Sequence, residues 1–169
     1  MRIVSGTLRG RTLATPSDDA IRPTSDRVRE AIFNWLLHGD PVAHIDGGRV
    51  IDLFAGTGAM GIEALSRGAT FCLLVDDSAA ARGLIRRNIE AFGLTGVTKV
   101  WRRDATDLGD ATTMTPFDVA FLDPPYGKGL GEKALAALAA GGWLVPDALC
   151  VLEERKGVTI EVPDRYEVI

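Results

Sequence analysis

Long apolar runs are missing from this chain, and with them several classes of function. No stretch of the 169 residues is apolar for the ~20 residues that a bilayer-spanning helix needs. The N-terminus lacks the charged, apolar and small-residue succession of a secretory signal. Cysteine is scarce: Cys72 and Cys150 are the two in the chain, and both stand inside apolar, strand-like runs. They read as buried thiols of a reducing compartment, with no metal-ligand spacing around them. His38 and His44 have no partner at a useful spacing and read as loop residues, so no metal is expected. Positive charge is not in excess either. A net charge of −4 excludes a protein that coats nucleic acid over its whole surface, while leaving room for a local basic face. What remains is a cytoplasmic, globular chain, expected to be a monomer and long enough to bury a sizeable core.

The residues present are ordered as strand and helix in alternation. Residues 1–23 carry Arg2, Arg9, Arg11 and Arg22 with no acid before Asp18. Alternation around Ile3-Val4 and Thr12-Leu13, with Gly6 and Gly10 between, predicts a β-hairpin whose arginines suit phosphates. Pro23-Thr24-Ser25-Asp26 is a helix start. Val28, Ile32 and Leu36 recur beyond it at helical spacing, with Ala31 and Trp35 beside them, and Gly39-Asp40-Pro41 ends the helix. Five strands follow, at 49–53, 71–75, 97–101, 118–122 and 149–153. Helices are expected through 62–67, 79–92 and 132–140, and a weak helix or loop at 107–116. The expectation is an α/β, Rossmann-like fold: a mostly parallel sheet with helices on both faces, preceded by a basic hairpin-and-helix extension over 1–40. Residues 41–169 would form the compact main unit.

Ligands of such sheets sit beyond the carboxyl ends of the strands. Four of those ends carry an acid here: Asp52, Asp76, Asp104 and Asp123. Gly56-Thr57-Gly58-Ala59-Met60-Gly61 satisfies G-x-G-x-x-G, with Asp76 at the distance of a ribose ligand, which would allow a nicotinamide dinucleotide. Asp52 argues against one, because a carboxylate is unwelcome where a pyrophosphate would pass. A zwitterionic amino acid joined to adenosine suits the acids better. Asp52 can take an ammonium, Asp76 the ribose hydroxyls and Asp104 the adenine edge. S-adenosylmethionine is such a molecule.

Asp123-Pro124-Pro125-Tyr126 closes the apolar run Val119–Leu122. Two prolines stiffen the turn, so Asp123 and nearby carbonyls are held at a set spacing beside a flat aromatic face. That arrangement suits a planar ring bearing an amino group. As a structural alternative, Asp123 caps the next helix and Tyr126 fills the core.

These residues together resemble a known family. Asp52 to Gly61 (DLFAGTGAMG) is similar to the cofactor loop of Class I S-adenosylmethionine-dependent methyltransferases. Asp123 to Tyr126 resembles the signature of enzymes that methylate exocyclic amines of nucleobases. The segments Ile3–Gly6, Arg9–Arg11, Arg22–Glu30 and Ile32–Asn34 are similar to the bacterial small-subunit (16S) ribosomal RNA guanine-N2 methyltransferases. The resemblance implies S-adenosylmethionine held by Asp52, Phe54, Gly56, Gly58, Asp76, Asp104 and Ala105, and catalysis at Asp123, Pro124, Pro125 and Tyr126. It also implies RNA held by Arg9, Arg11 and Arg22, in naked ribosomal RNA or an assembling 30S subunit, and a helix near Thr24 folded over the cofactor pocket. An N6-adenine methyltransferase acting on DNA or RNA shares the Asp-Pro-Pro-Tyr chemistry and stays open as the alternative. The family's sheet closes with an antiparallel hairpin, for which Tyr166–Ile169 could supply one strand and nothing the other.

Overall fold

Short apolar runs that alternate between two covered faces build the sheet. In a computed structural model describing residues 1–16 and 24–169, the strands are β1 (Arg49–Leu53), β2 (Phe71–Val75), β3 (Thr98–Trp101), β4 (Phe117–Leu122) and β5 (Leu144–Leu152). They lie in the order β3-β2-β1-β4-β5, every pair parallel. The helices are α1 (Asp26–His38), α2 (Ala59–Ser66), α3 (Ala79–Ala91) and α4 (Leu130–Ala140). Successive strands run outward from β1 to β3, then return to pair β4 on the other side of β1. The topological switch therefore falls between β1 and β4, where the crevice of a doubly wound sheet opens.

Val50, Cys72, Leu74, Val119 and Phe121 point to one face, where Phe33 and Leu36 of α1, Met60 and Ala64 of α2, and Ile85 and Ile89 of α3 cover them. Ile51, Leu53, Leu73, Val75, Ala120 and Leu122 point to the other. There α4 contributes Ala134, Leu135 and Leu138, and the irregular stretch before β4 contributes Ala105, Leu108 and Ala111. Residues 107–116 are thus a loop, and their apolar side chains do the covering that a helix does elsewhere. Trp143 is wholly buried on this face and donates from its ring nitrogen to Gly109 O at 2.9 Å.

The N-terminal segment is a hairpin only in outline. One antiparallel bridge joins Arg2 to Thr12, with Ile3 N on Arg11 O and Leu13 N on Met1 O. A regular ladder is absent among these residues because the amides of Val4 and Ser5 donate to the Glu63 carboxylate of α2 instead. Gly6, at φ +87°, lies so close to α2 that a Cβ there would stand 1.9 Å from Ser66 O.

Helix α1 starts as expected, with the Ser25 hydroxyl accepting from Val28 N, but it buries a different stripe. Arg29, Phe33 and Leu36 face inward, whereas Val28 and Trp35 are 45% and 48% exposed. The cause is Arg29, whose Nε meets Glu63 Oε1 at 3.1 Å with both side chains wholly buried. Its other nitrogens reach Asp26 Oδ1, Thr24 O and Arg2 O. A carboxylate waiting in the core turns a charged position inward and rotates the apolar face past Val28.

Three further expectations change. Strand β5 begins at Leu144, five residues early, and a register shift against β4 passes Pro146 and Asp147 (φ 62°), where proline has no amide to give to the ladder. Tyr166–Ile169 forms no strand; the Tyr166 hydroxyl instead donates to Leu135 O at 2.6 Å, so the end of the chain packs on α4. Neither histidine is an unpartnered loop residue. His38 closes α1, and His44 Nδ1 lies 3.2 Å from Asp118 Oδ1. Cys72 is buried in β2, and Cys150 is half-buried with its thiol pushed up to about 12 by burial. Among the described residues no helix is long and apolar enough to cross a membrane.

Candidate active site at the carboxyl ends of the strands

A cavity of about 420 Å³ opens where β1, β2, β4 and β5 end. Its size is that of a small-molecule site. Each strand end brings an acid, and the loop after each strand decides how that acid is held.

Asp52 of β1 is 3% exposed and accepts from Gly61 N at 3.0 Å through Oδ2. This contact exists because residue 61 has no side chain: a Cβ would stand 2.6 Å from Cys72 Sγ and 3.3 Å from Asp52 Oδ2. Burial holds the Asp52 carboxyl well above the usual carboxylate range. The Gly61 amide opposes this, while the charges of Asp123, Asp76 and Glu153 add to it. A buried acid among three other acids is a receptor for positive charge.

Beyond Asp52 the chain turns sharply. Phe54 has φ 56°, rare for a bulky residue, and Gly56 and Gly58 have φ 61° and 81°. The turn aims the Gly56 amide at Asp76 Oδ2, 3.0 Å away, and Ser78 N meets Asp76 Oδ1 at 2.9 Å. Asp76 is thereby fixed by two backbone donors, each oxygen keeping a lone pair for a further donor. Phe54 and Gly56 line the cavity; Gly58 lies behind it, with Leu74, Ile62 and Ile85 against the place a Cβ would take.

The opposite wall is Asp123, Pro124, Pro125 and Tyr126. Thr24, just ahead of α1, joins the lining and donates its hydroxyl to Asp123 Oδ2 at 3.3 Å. The residue two before α1 thus reaches the cavity, while no residue of α1 itself is among its lining. Tyr126 is half-buried at the rim rather than in the core.

Besides Gly58, two cofactor residues named from the sequence are not brought to this cavity. Asp104 is exposed, and its Oδ1 accepts from Thr106 Oγ1 at 2.6 Å and Thr106 N at 2.8 Å, bonds that lower its pKa. Ala105 is 4% exposed within the second core. Of the arginines, Arg9 is exposed. Arg11 donates from Nη2 to Ala91 O at 3.0 Å and lies 4.9 Å from the Phe92 ring centroid, at the end of α3. Arg22 lies outside the described residues.

Sequence reasoning missed Glu153, Thr24 and Asp77, all of which line the cavity. Glu153 follows the apolar run Leu149–Leu152, so the rule that found the other strand-end acids could have found it. Nothing in the sequence marks Thr24 beyond its place beside a helix cap.

The whole chain, residues 1–169, matches the family described as conserved hypothetical protein 95. The ribosomal RNA small subunit methyltransferase D of Escherichia coli K12 is 39% identical over 153 residues, covering 90% of this chain and 74% of that protein. The Haemophilus influenzae protein of the same name is 32% identical over 171 residues, covering 100% and 86%. The solved structure of Escherichia coli yhhF superposes with a TM-score of 0.79 at 33% identity, covering 97% of this chain and 86% of that one. Matched along its full length in sequence and nearly so in structure, the chain belongs to the family of the small-subunit ribosomal RNA methyltransferases D and has a Rossmann-like Class I methyltransferase fold.

Proposed function

We propose that this protein transfers a methyl group from S-adenosylmethionine to the exocyclic N2 amine of a guanine in small-subunit ribosomal RNA. The family and the names of its relatives support ribosomal RNA methylation. One observation carries the chemistry: Asp123-Pro124-Pro125-Tyr126 shares a single cavity with the buried Asp52 and the backbone-clamped Asp76. S-adenosylmethionine, when bound, supplies an activated methyl group on a sulfonium centre. The donors and acceptors present fit it, with Asp52 for the ammonium and Asp76 for the ribose hydroxyls. The adenine role first given to Asp104 has no support from its position outside the cavity lining.

The amine of guanine shares its lone pair with the ring and is a poor nucleophile. Asp123 and the Pro124 carbonyl accept from its N–H bonds, orient it, and favour a lone pair aimed across the cavity. Tyr126 stacks on the ring of a base taken out of its helix. Correct placement of two reactants is worth roughly 7–11 kcal/mol. The Asp123 charge adds stabilisation as positive charge grows on the nitrogen. Arg9 lies exposed to meet the RNA backbone, and Arg22 is assigned the same role. Arg11 would do so only by leaving Ala91 and Phe92.

The test is Asp123→Ala, assayed with labelled cofactor and small subunits that lack the modification. Methyl transfer should be lost while the cofactor dissociation constant stays within a few-fold. Loss of cofactor binding with it would move Asp123 out of the catalytic role.

A further inference from the structure

Glu153 has no part in the chemistry above, yet it stands beside Asp123. Leu122 and Leu152 are partners in parallel register, and Glu153 N donates to Leu122 O at 2.9 Å, so the two acids occupy adjacent strand ends. Both line the cavity. The Thr24 hydroxyl donates to Asp123 Oδ2 at 3.3 Å and stands close enough to Glu153 to oppose the rise of its pKa, so all three side chains meet at one end of the cavity. A second half-buried carboxylate is not needed to hold one amine.

The Watson–Crick edge of guanine explains what two acceptors could do. It presents two neighbouring donors, N1–H and the N2 amine. Adenine presents its amine beside an N1 that can only accept. An ionised carboxylate also only accepts. Two carboxylates side by side therefore match guanine, and set a lone pair against the N1 of adenine.

Resting on the guanine reading, we infer that Glu153 determines the choice of base by accepting the hydrogen bond from guanine N1–H while Asp123 accepts from N2. The free protein is consistent with this division. Burial and the neighbouring Asp123 charge push the Glu153 carboxyl up to about 7, so the ionised, acceptor-only form that this division uses prevails above that pH. A site built to bond a substrate N–H rejects an analogue that lacks it far more strongly than one that reads shape alone.

The experiment compares kcat/KM on small subunits reconstituted with guanine or with 2-aminopurine at the methylated nucleotide. 2-Aminopurine keeps the N2 amine, but its N1 is an acceptor. The native protein should favour guanine by about 100-fold or more. In Glu153→Gln the carboxamide can turn its NH2 towards N1, and the preference should shrink by about ten-fold or more. Glu153→Leu, which removes the acceptor without adding a donor, should also shrink it, mainly by slowing guanine. Cofactor titration establishes that each variant is folded. Equal rates on both bases in the native protein overturn the inference, as does an unchanged ratio in the two variants. Label found on adenine N6 would instead remove the guanine reading, and Glu153 with it. Transfer to guanine N2 with unaltered ratios removes the Glu153 assignment alone.

Discussion

At the scale of single residues, the site is made of carboxylates, and burial makes charge costly at Asp52 and Glu153. Asp52 is the extreme case, buried and surrounded by the charges of Asp123, Asp76 and Glu153, with the Gly61 amide donating to it. Its raised pKa leaves the neutral form populated further up in pH than in a free carboxylate, and a bound cation shifts the balance back towards the ionised form. Binding of S-adenosylmethionine should therefore release protons over the pH range in which Asp52 titrates in the free protein. Calorimetry in buffers of different ionisation enthalpy will read the release directly, and Asp52→Asn should abolish that share of it. The same variant should weaken cofactor binding about ten-fold or more, the scale of a lost charge-assisted hydrogen bond. Gly61→Ala tests the support beneath. The added methyl meets Cys72 Sγ at 2.6 Å and lifts α2 away from Asp52. The expected outcome is a lower thermal midpoint together with weakened cofactor binding.

At the scale of elements, α1 decides how the N-terminal segment is attached. Glu63 accepts from Val4 N, Ser5 N, Arg29 Nε and Arg67 Nε, so one wholly buried carboxylate joins three parts of the chain. Glu63→Leu leaves Arg29 buried without that partner and should cost about 3–5 kcal/mol in denaturant unfolding. Adding Arg29→Met should restore much of the loss, because the unpaired charge goes with it. This contact also marks the limit of what the sequence could tell. Helical spacing is satisfied equally by Val28, Ile32, Leu36 and by Arg29, Phe33, Leu36, and ordinary hydrophobicity favours the first. The choice depends on an acid 34 residues away, which no local pattern contains. The strands were more legible, because alternation within Val50–Leu53 or Val119–Leu122 shows two buried faces without reference to any partner. The start of β5 and the docking of Tyr166 on α4 escaped for the reason that the face of α1 did: each is set by tertiary contact.

For the molecule as a whole, the cavity exists because a parallel sheet gathers four strand ends at its switch point. The acids after β1, β2 and β4 could be read from the sequence, since each follows an apolar run. Asp104 follows such a run too, but the chain beyond β3 turns its Asx bonds onto Thr106 and buries Ala105, taking that end out of the cavity. Gathering acids has a signature in stability. Glu153 is raised from its usual 4.5 to about 7, first by burial and then by Asp123. Between those values the folded protein holds a proton that the unfolded chain releases. The stabilising contribution is thus full below about 4.5 and is lost as pH rises through about 7. Asp52 acts in the same direction. Thermal midpoints recorded from pH 5 to pH 8 should carry this fall, and Glu153→Gln should flatten its part.

The most direct measurement is the position of the transferred methyl group. Small subunits lacking the modification are incubated with the protein and labelled S-adenosylmethionine, and the labelled nucleotide is isolated and its methylated atom identified. The cavity described here predicts label on N2 of a guanine, lost in Asp123→Ala. Label on adenine N6, or on any ring carbon, would contradict it.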